Sequence, residues 1–256
     1  MSELLPLPPR LDSEMSVWDH LEELRWVVLR AVLGVVAGMI ICAIFSDWIL
    51  NVVILQPALN TKPPFRFQNP EIYGQLELYM QVVIWGGVIL SFPYTIIQLW
   101  KFVQPGLYIH ERKYVKYITF FTAFSFCLGM VFAYYVMLPM TLDFAASFGS
   151  EFIINFPDVH KYLSIFLMTI ILSGIIFELP LISYFLGRLG ILTPAYMRHY
   201  RRHTLVALLF IAAILSPGGN PLLQLILFIP LWTLFEFSVL ASMVAQRHRK
   251  KPEPTA

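Results

Sequence analysis

The sequence predicts an all-α integral membrane protein that crosses the bilayer six times with both termini in the cytoplasm, and three observations carry that reading. The 256 residues are 58% hydrophobic and only 13% charged, with mean hydropathy +0.69. A soluble domain carries roughly 25% charged residues. Six apolar runs are separated by polar or Pro-rich connections. Fifteen of the eighteen Lys and Arg residues fall on one side of the predicted bilayer, and only Lys62, Arg66 and Lys161 fall on the other. Basic residues collect in cytoplasmic loops, so an even number of spans leaves both ends inside.

The first span is preceded by Ser-Val-Trp-Asp-His-Leu-Glu-Glu-Leu-Arg, residues 16–25. Ser16 followed by Asp19 marks a helix start, because the hydroxyl can accept from an otherwise unpaired amide. Val17, Leu21, Leu24 and Val28 form an apolar stripe at helical spacing, while Asp19, Glu22 and Glu23 share another face. An acidic face at the inner border of a membrane is unusual, since that border favours Lys and Arg. It is a candidate landing site for a basic partner.

A bilayer core about 30 Å thick needs roughly 20 helical residues. The runs 26–48, 76–100, 118–139 and 162–189 meet that length. Runs 204–215 and 222–244 form a hairpin around Ser-Pro-Gly-Gly-Asn-Pro. The fifth run reaches only about 18 Å, so short fifth and sixth helices are expected, with the bilayer thinned or only partly crossed there. The outer loops, 50–75 and 140–161, are expected to form ordered caps. Residues 1–246 read as one transmembrane domain, and 247–256 as a basic, disordered cytoplasmic tail. No internal repeat marks the paired halves of many secondary transporters. The polar, Pro-rich start lacks the early apolar core of a cleavable signal, so the first span is expected to direct insertion.

Several classes are excluded. A net charge of +2 makes no case for nucleic acid. Cys42 and Cys127 lie inside apolar runs and read as packing residues. His-Glu-x-x-His, Gly-x-Ser-x-Gly and Gly-rich phosphate loops are all missing, so neither an enzyme, a cofactor nor a metal site is expected. His199 and His203 have the four-residue spacing of some metal pairs, but no third ligand lies near them in sequence. The His-Tyr-Arg-Arg-His run 199–203 is better suited to phosphate or headgroup contact.

Glu178, in Gly-Ile-Ile-Phe-Glu-Leu-Pro, is the sharpest oddity. An intramembrane carboxylate costs about 2.5–3.5 kcal/mol on insertion scales and normally faces a cavity or partner. The plainer alternative is a hydrogen bond to backbone groups freed by a kink at Pro180. Glu111 sits among Arg112, Lys113 and Lys116 and reads, taken alone, as a local ion pair. With Glu23 it supplies two inner-face carboxylates able to grip paired guanidiniums by bidentate bonds. Glu22 and Arg25 read equally well as a helical ion pair. Ser216 and Gln224 flank the outer turn of the hairpin, where helix capping is the simple role. Glu236 reads as structural, near the inner boundary.

His-Leu-Glu-Glu-Leu-Arg before the first of six spans resembles the signature of the TatC family, the large subunit of the twin-arginine protein translocase. Gln-Leu-Trp-Lys-Phe-Val-Gln-Pro-Gly-Leu-Tyr-Ile-His-Glu-Arg (98–112), Phe-Glu-Leu-Pro (177–180) and Ile-Pro-Leu-Trp-Thr-Leu-Phe-Glu (229–236) are similar to further family motifs, in family order from about 16 to 245. The resemblance implies a receptor for twin-arginine signal peptides of folded cargo. Glu23 and Glu111 would receive the paired arginines, with Arg25 and Phe102 nearby. Glu178 would lie in a concave membrane face, and Ser216 and Gln224 where the single-span partners TatA and TatB dock. It also implies a Sec-independent, proton-gradient-driven complex in the bacterial inner membrane, embedded in the lipid bilayer and holding several copies of the chain. Many relatives carry Thr-Pro-Pro-Asp at the outer turn. Here it is Ser216-Pro217-Gly218-Gly219-Asn220, so any role of that acid does not transfer. The competing reading is a proton-coupled small-solute transporter using Glu178 as relay.

Overall fold

The computed structural model describes residues 17–62, 64–103, 109–147, 156–216 and 221–249, with the side chains at 17, 19, 103, 109–116, 189 and 247–249 outside that description. The chain runs through α1 (Val17–Ile44), α2 (Ser46–Trp48), a π-helical stretch (Ile49–Ile54) and α3 (Gln56–Leu59). Then follow α4 (Gly74–Val103), α5 (Ile109–Phe132), a second π-helical stretch (Ala133–Met137) and α6 (Leu138–Ser147). The last elements are α7 (Val159–Phe177), α8 (Leu179–Leu189), α9 (Pro194–His199), α10 (Arg201–Leu215) and α11 (Pro221–Arg249). No strand occurs among the described residues; one isolated parallel bridge joins Gln68 to Asp158.

Five helical stretches are long and apolar enough to cross a membrane: His20–Ile44, Gly74–Phe102, Tyr117–Ser147, Val159–Arg188 and Pro221–Gln246. The 15-residue α10 makes the sixth; at about 1.5 Å per residue it reaches roughly 22 Å. One expectation needs correction. The sixth helix is not short: α11 has 29 residues and continues to Arg249. Ala245, Gln246 and Arg247 favour helix, and no Gly or Pro interrupts before Pro252. The start of the tail is therefore helical, and 250–256 lie outside the described residues, as do Ser16 and the turn 217–220.

Local chemistry sets the helix ends. Asp158 caps α7 by accepting from the His160 amide at 2.9 Å. Gly190 ends α8 in the left-handed region at φ 81°, which a side chain disfavours. Thr193 caps α9 by accepting from the Tyr196 amide at 3.2 Å. The second π-helical stretch immediately precedes Pro139, whose ring cannot fit the regular ladder.

Lipid tails are as apolar as leucine, so helices in a bilayer associate by close packing rather than by hydrophobic drive. Accordingly α1 and α4 meet glycine on glycine. A Cβ on Gly38 would stand 2.6 Å from the Gly87 carbonyl oxygen. Between α5 and α7, a Cβ on Gly129 would stand 2.7 Å from the Ser173 carbonyl oxygen, and the Ser173 hydroxyl donates to the Gly129 carbonyl at 2.9 Å. Two buried clusters result. One joins the outer cap (Leu50, Ile54, Ala58) to α4, α6 and α7. The other runs along α11 through Leu223, Leu227, Leu231 and Phe235, meeting Leu208 and Ala212 of α10. The remaining exposed apolar side chains, such as Val32, Val36 and Ile40 on α1, form the lipid-facing surface. A groove of about 900 Å³ opens between α1, α4, α5 and α7, lined among others by Cys42, Pro93, Cys127 and Phe166.

Gly38→Val should force these two backbones apart and cost about 1–3 kcal/mol. Thermal unfolding of the purified protein in detergent checks this; an unchanged midpoint would mean that the α1–α4 contact does not set the fold.

Candidate functional site

Antiparallel packing of α1 on α4 builds the inner rim. The His20 ring stacks on Phe102, with centroids 4.3 Å apart and planes 15° from parallel. Glu23 lies three residues after His20 on α1, and Gln98 four residues before Phe102 on α4. Because the helices run in opposite directions, both sit one turn deeper than the stacked pair. Each presents a buried oxygen without a hydrogen-bond partner among the described residues, Glu23 Oε2 and Gln98 Oε1. Gln98 is only 4% exposed. Two acceptors without donors in one layer are an unfilled demand for N–H groups. Arg25 is exposed on α1. Trp100 meets Phe185 of α8 edge-on at 4.8 Å, which fixes the inner end of α4 from a second side.

Glu111 belongs to the first turn of α5, but its side chain lies outside the described residues. Six peptide units connect Val103 to Ile109, at most about 21 Å of chain. The end of α4 and the start of α5 therefore share the rim that Glu23 occupies. Gln98 was missed from sequence. Its spacing of four from Phe102 was visible, but its burial depends on α1.

Glu178 sits at the break between α7 and α8, with Pro180 just beyond. It is 6% exposed, and its carboxylate faces the Phe126 backbone of α5 without forming a hydrogen bond of normal geometry. The break is repaired in part from α5, at the Phe177 carbonyl. That oxygen accepts from the Ser125 hydroxyl of α5 at 2.7 Å. Phe126, the next residue on α5, stacks on Phe92 of α4 at 3.5 Å. Glu178 does not line the 900 Å³ groove.

At the hairpin, Ser216 is buried at 4% exposure, and the Gln224 amide donates to the Leu209 carbonyl at 2.9 Å. Gln224 thus ties α11 to α10. Glu236 pairs with Arg201, whose guanidinium also lies 5.1 Å from the Trp232 ring centre. His199 and His203 each pack against Tyr200, with ring centres 5.0 and 5.6 Å away.

Ser125→Ala should strip the Phe177 carbonyl of its donor and cost about 1–3 kcal/mol of stability. Glu178→Gln should leave stability unchanged or raised, because it removes a buried carboxyl group while keeping a side-chain oxygen for the Phe126 backbone. Thermal unfolding of both variants decides between a bystander and a structural Glu178, since a loss from Glu178→Gln as large as from Ser125→Ala would make it structural.

Comparison with known proteins agrees with this architecture. A model of the family described as Sec-independent protein translocase protein (TatC) matches residues 19–230. The Sec-independent protein translocase protein TatC of Carboxydothermus hydrogenoformans is 32% identical over 228 residues, covering 89% of this chain and 93% of the relative. TatCy of Bacillus subtilis is 32% identical over 244 residues, 93% of each chain. The crystal structure of the twin arginine translocase receptor TatC matches with a TM-score of 0.79 at 28% identity, covering 89% of this chain and 100% of that one. These likenesses favour protein translocation over solute transport by way of Glu178. With a family match spanning most of its length and a six-span fold shared with a solved relative, this chain belongs to the TatC family of Sec-independent protein translocases.

Proposed function

We propose that this chain is the membrane receptor for twin-arginine signal peptides of folded proteins, acting at the cytoplasmic face of the bacterial inner membrane. The observation that carries this reading is the inner-rim layer, where Glu23 and Gln98 present buried acceptor oxygens without donors beneath the stacked His20 and Phe102. A guanidinium offers five N–H donors in a fixed plane, and two in succession suit a pair of rim carboxylates. In this reading Glu23 holds one arginine and Glu111, on the first turn of α5, the other. Gln98 takes a remaining N–H, Phe102 walls the site, and Arg25 orients the acidic turn from the neighbouring helix face. The apolar part of the signal peptide then lies along the spans toward Glu178.

The fifth helix, at roughly 22 Å against a 30 Å core, leaves a thin zone beside α10 and α11. There the single-span partners TatA and TatB would dock, near Ser216 and Gln224, with several receptor copies in one complex. With both termini cytoplasmic, the basic ends of α8 and α11 lie on the peptide-receiving side. The chain has no nucleotide-binding motif, so the driving force is assigned to the proton gradient, and the chain to a receptor and scaffold with no catalytic residue.

Binding of a fluorescent twin-arginine signal peptide to the purified receptor in nanodiscs tests this. Glu23→Ala and Glu111→Ala should each weaken binding about 10- to 100-fold, the range for losing a hydrogen bond to a charged group. Replacing the paired arginines by lysines should weaken binding to the unaltered receptor. Equal affinity across both variants would sink the proposal.

A further inference from the structure

At the end of the bundle opposite the His20–Phe102 rim, three side chains from three separate elements converge. Glu71 comes from the loop before α4, Glu77 from the first turn of α4, and His160 from the first turn of α7. One ligand atom from each lies within 4.8 Å of the other two. No other such group of His, Cys, Asp and Glu occurs among the described residues. His160 adds an independent observation. Both of its ring nitrogens are buried, and neither has a hydrogen-bond partner among the described residues. Every imidazole carries at least one N–H donor, so burial with no partner at either nitrogen leaves a polar group uncompensated.

The Glu77 carboxylate is held from behind, and Glu71 and His160 are pinned through their backbones. The Glu77 carboxylate accepts from the Gln81 amide at 3.1 Å, one turn further along α4. The Glu71 amide donates to the Asn69 side-chain oxygen at 3.2 Å, and Gly74 donates back to the Glu71 carbonyl at 3.3 Å, which closes the loop around it. The His160 amide donates to Asp158, and residues 68 and 157–159 are tied by a pair of backbone bonds of 3.1 Å. Such outer contacts are what orient first-contact ligands in metal sites. Lys161, the adjacent cation, lines a different cavity with Phe65, Asp158 and Tyr162.

We propose that Glu71, Glu77 and His160 form a site for a divalent transition-metal ion, zinc being the best match. An imidazole nitrogen with two carboxylate oxygens suits zinc, whereas calcium and magnesium prefer oxygen alone. Three protein ligands leave a fourth position for water. The ion supplies the missing partner of His160 and neutralises two neighbouring carboxylates. It also clamps the first outer loop to the starts of α4 and α7. Ligand atoms up to 4.8 Å apart close onto the ion by side-chain rotation, which Glu71 and Glu77, both exposed, are free to make. None of the three belongs to the peptide-binding rim, so the site stands independently of the receptor reading.

The test uses the full chain, purified without a polyhistidine tag, stripped with chelator and titrated with zinc chloride by calorimetry, with cobalt absorption as the coordination readout. One ion should bind per chain, raise the thermal midpoint and give a tetrahedral cobalt spectrum. Glu71→Gln, an exposed change with little effect on folding, should weaken binding at least tenfold, and so should Glu77→Gln. His199→Ala with His203→Ala should leave binding unchanged. No saturable binding at micromolar zinc, or binding lost only in the His199 and His203 variant, would overturn the proposal.

Discussion

The backbone contact between Gly38 and Gly87 is the constraint on which the inner rim depends. With a carbonyl oxygen 2.6 Å from where a Cβ would stand, no larger residue fits without moving a helix. In a bilayer such close approach is itself a main source of helix association. Held at that distance over their length, α1 and α4 must bring their inner ends together. The stacked His20 and Phe102 are the outcome, and the level shared by Glu23 and Gln98 follows from antiparallel helix geometry. The acidic turn that looked isolated in sequence packs beside the end of α4.

The outer half of the molecule supplies rigidity of a different kind. Tyr162 donates its hydroxyl to the Ile54 carbonyl, Tyr79 donates to Asp47 at 2.5 Å, and Gln68 bridges to Asp158. These bonds join three outer segments across wide sequence gaps, above a buried apolar cluster shared by the same helices. By contrast, α10 is anchored mainly to α11, through Leu208, Ala212, the Gln224 bond and the Arg201–Glu236 pair. The shortest crossing thus belongs to a hairpin that shares its core with Met137, Ile176 and Met197 of the preceding elements.

Most of the fold was legible because the bilayer enforces it. Length and hydropathy decide a span, and the distribution of Lys and Arg decides its direction. The error at the sixth helix has a physical reason: hydropathy stops at the membrane border, whereas backbone hydrogen bonding continues while helix formers last. Glu178 could be singled out by composition alone, since a carboxylate in an apolar run is conspicuous wherever the helices pack. Gln98 could not. Glutamine at the edge of a span is ordinary, and only the arrival of α1 buries it. Glu71, Glu77 and His160 were invisible for the same reason, the histidine being separated from the two glutamates by two spans in sequence and brought to them only by the fold. Glu236, read as structural, has its partner Arg201 on the neighbouring helix.

The break at Glu178 shows how the two ends of the molecule are connected. A proline in a helix frees carbonyls, and a nearby carboxylic acid would be the economical donor to them. Here Ser125 serves the Phe177 carbonyl, and the Ile176 carbonyl, four residues before Pro180, accepts from the Glu178 backbone amide. Glu178 lies ten residues from Arg188, roughly 15 Å into the bundle by helix rise. Phe92, whose partner Phe126 precedes the turn of α5 that meets α7, lies an equal ten residues from Phe102 at the rim. Gln98 is six residues from Phe92, so the rim acceptors and the level of the Phe92–Phe126 stack are spaced by about 9 Å of helix.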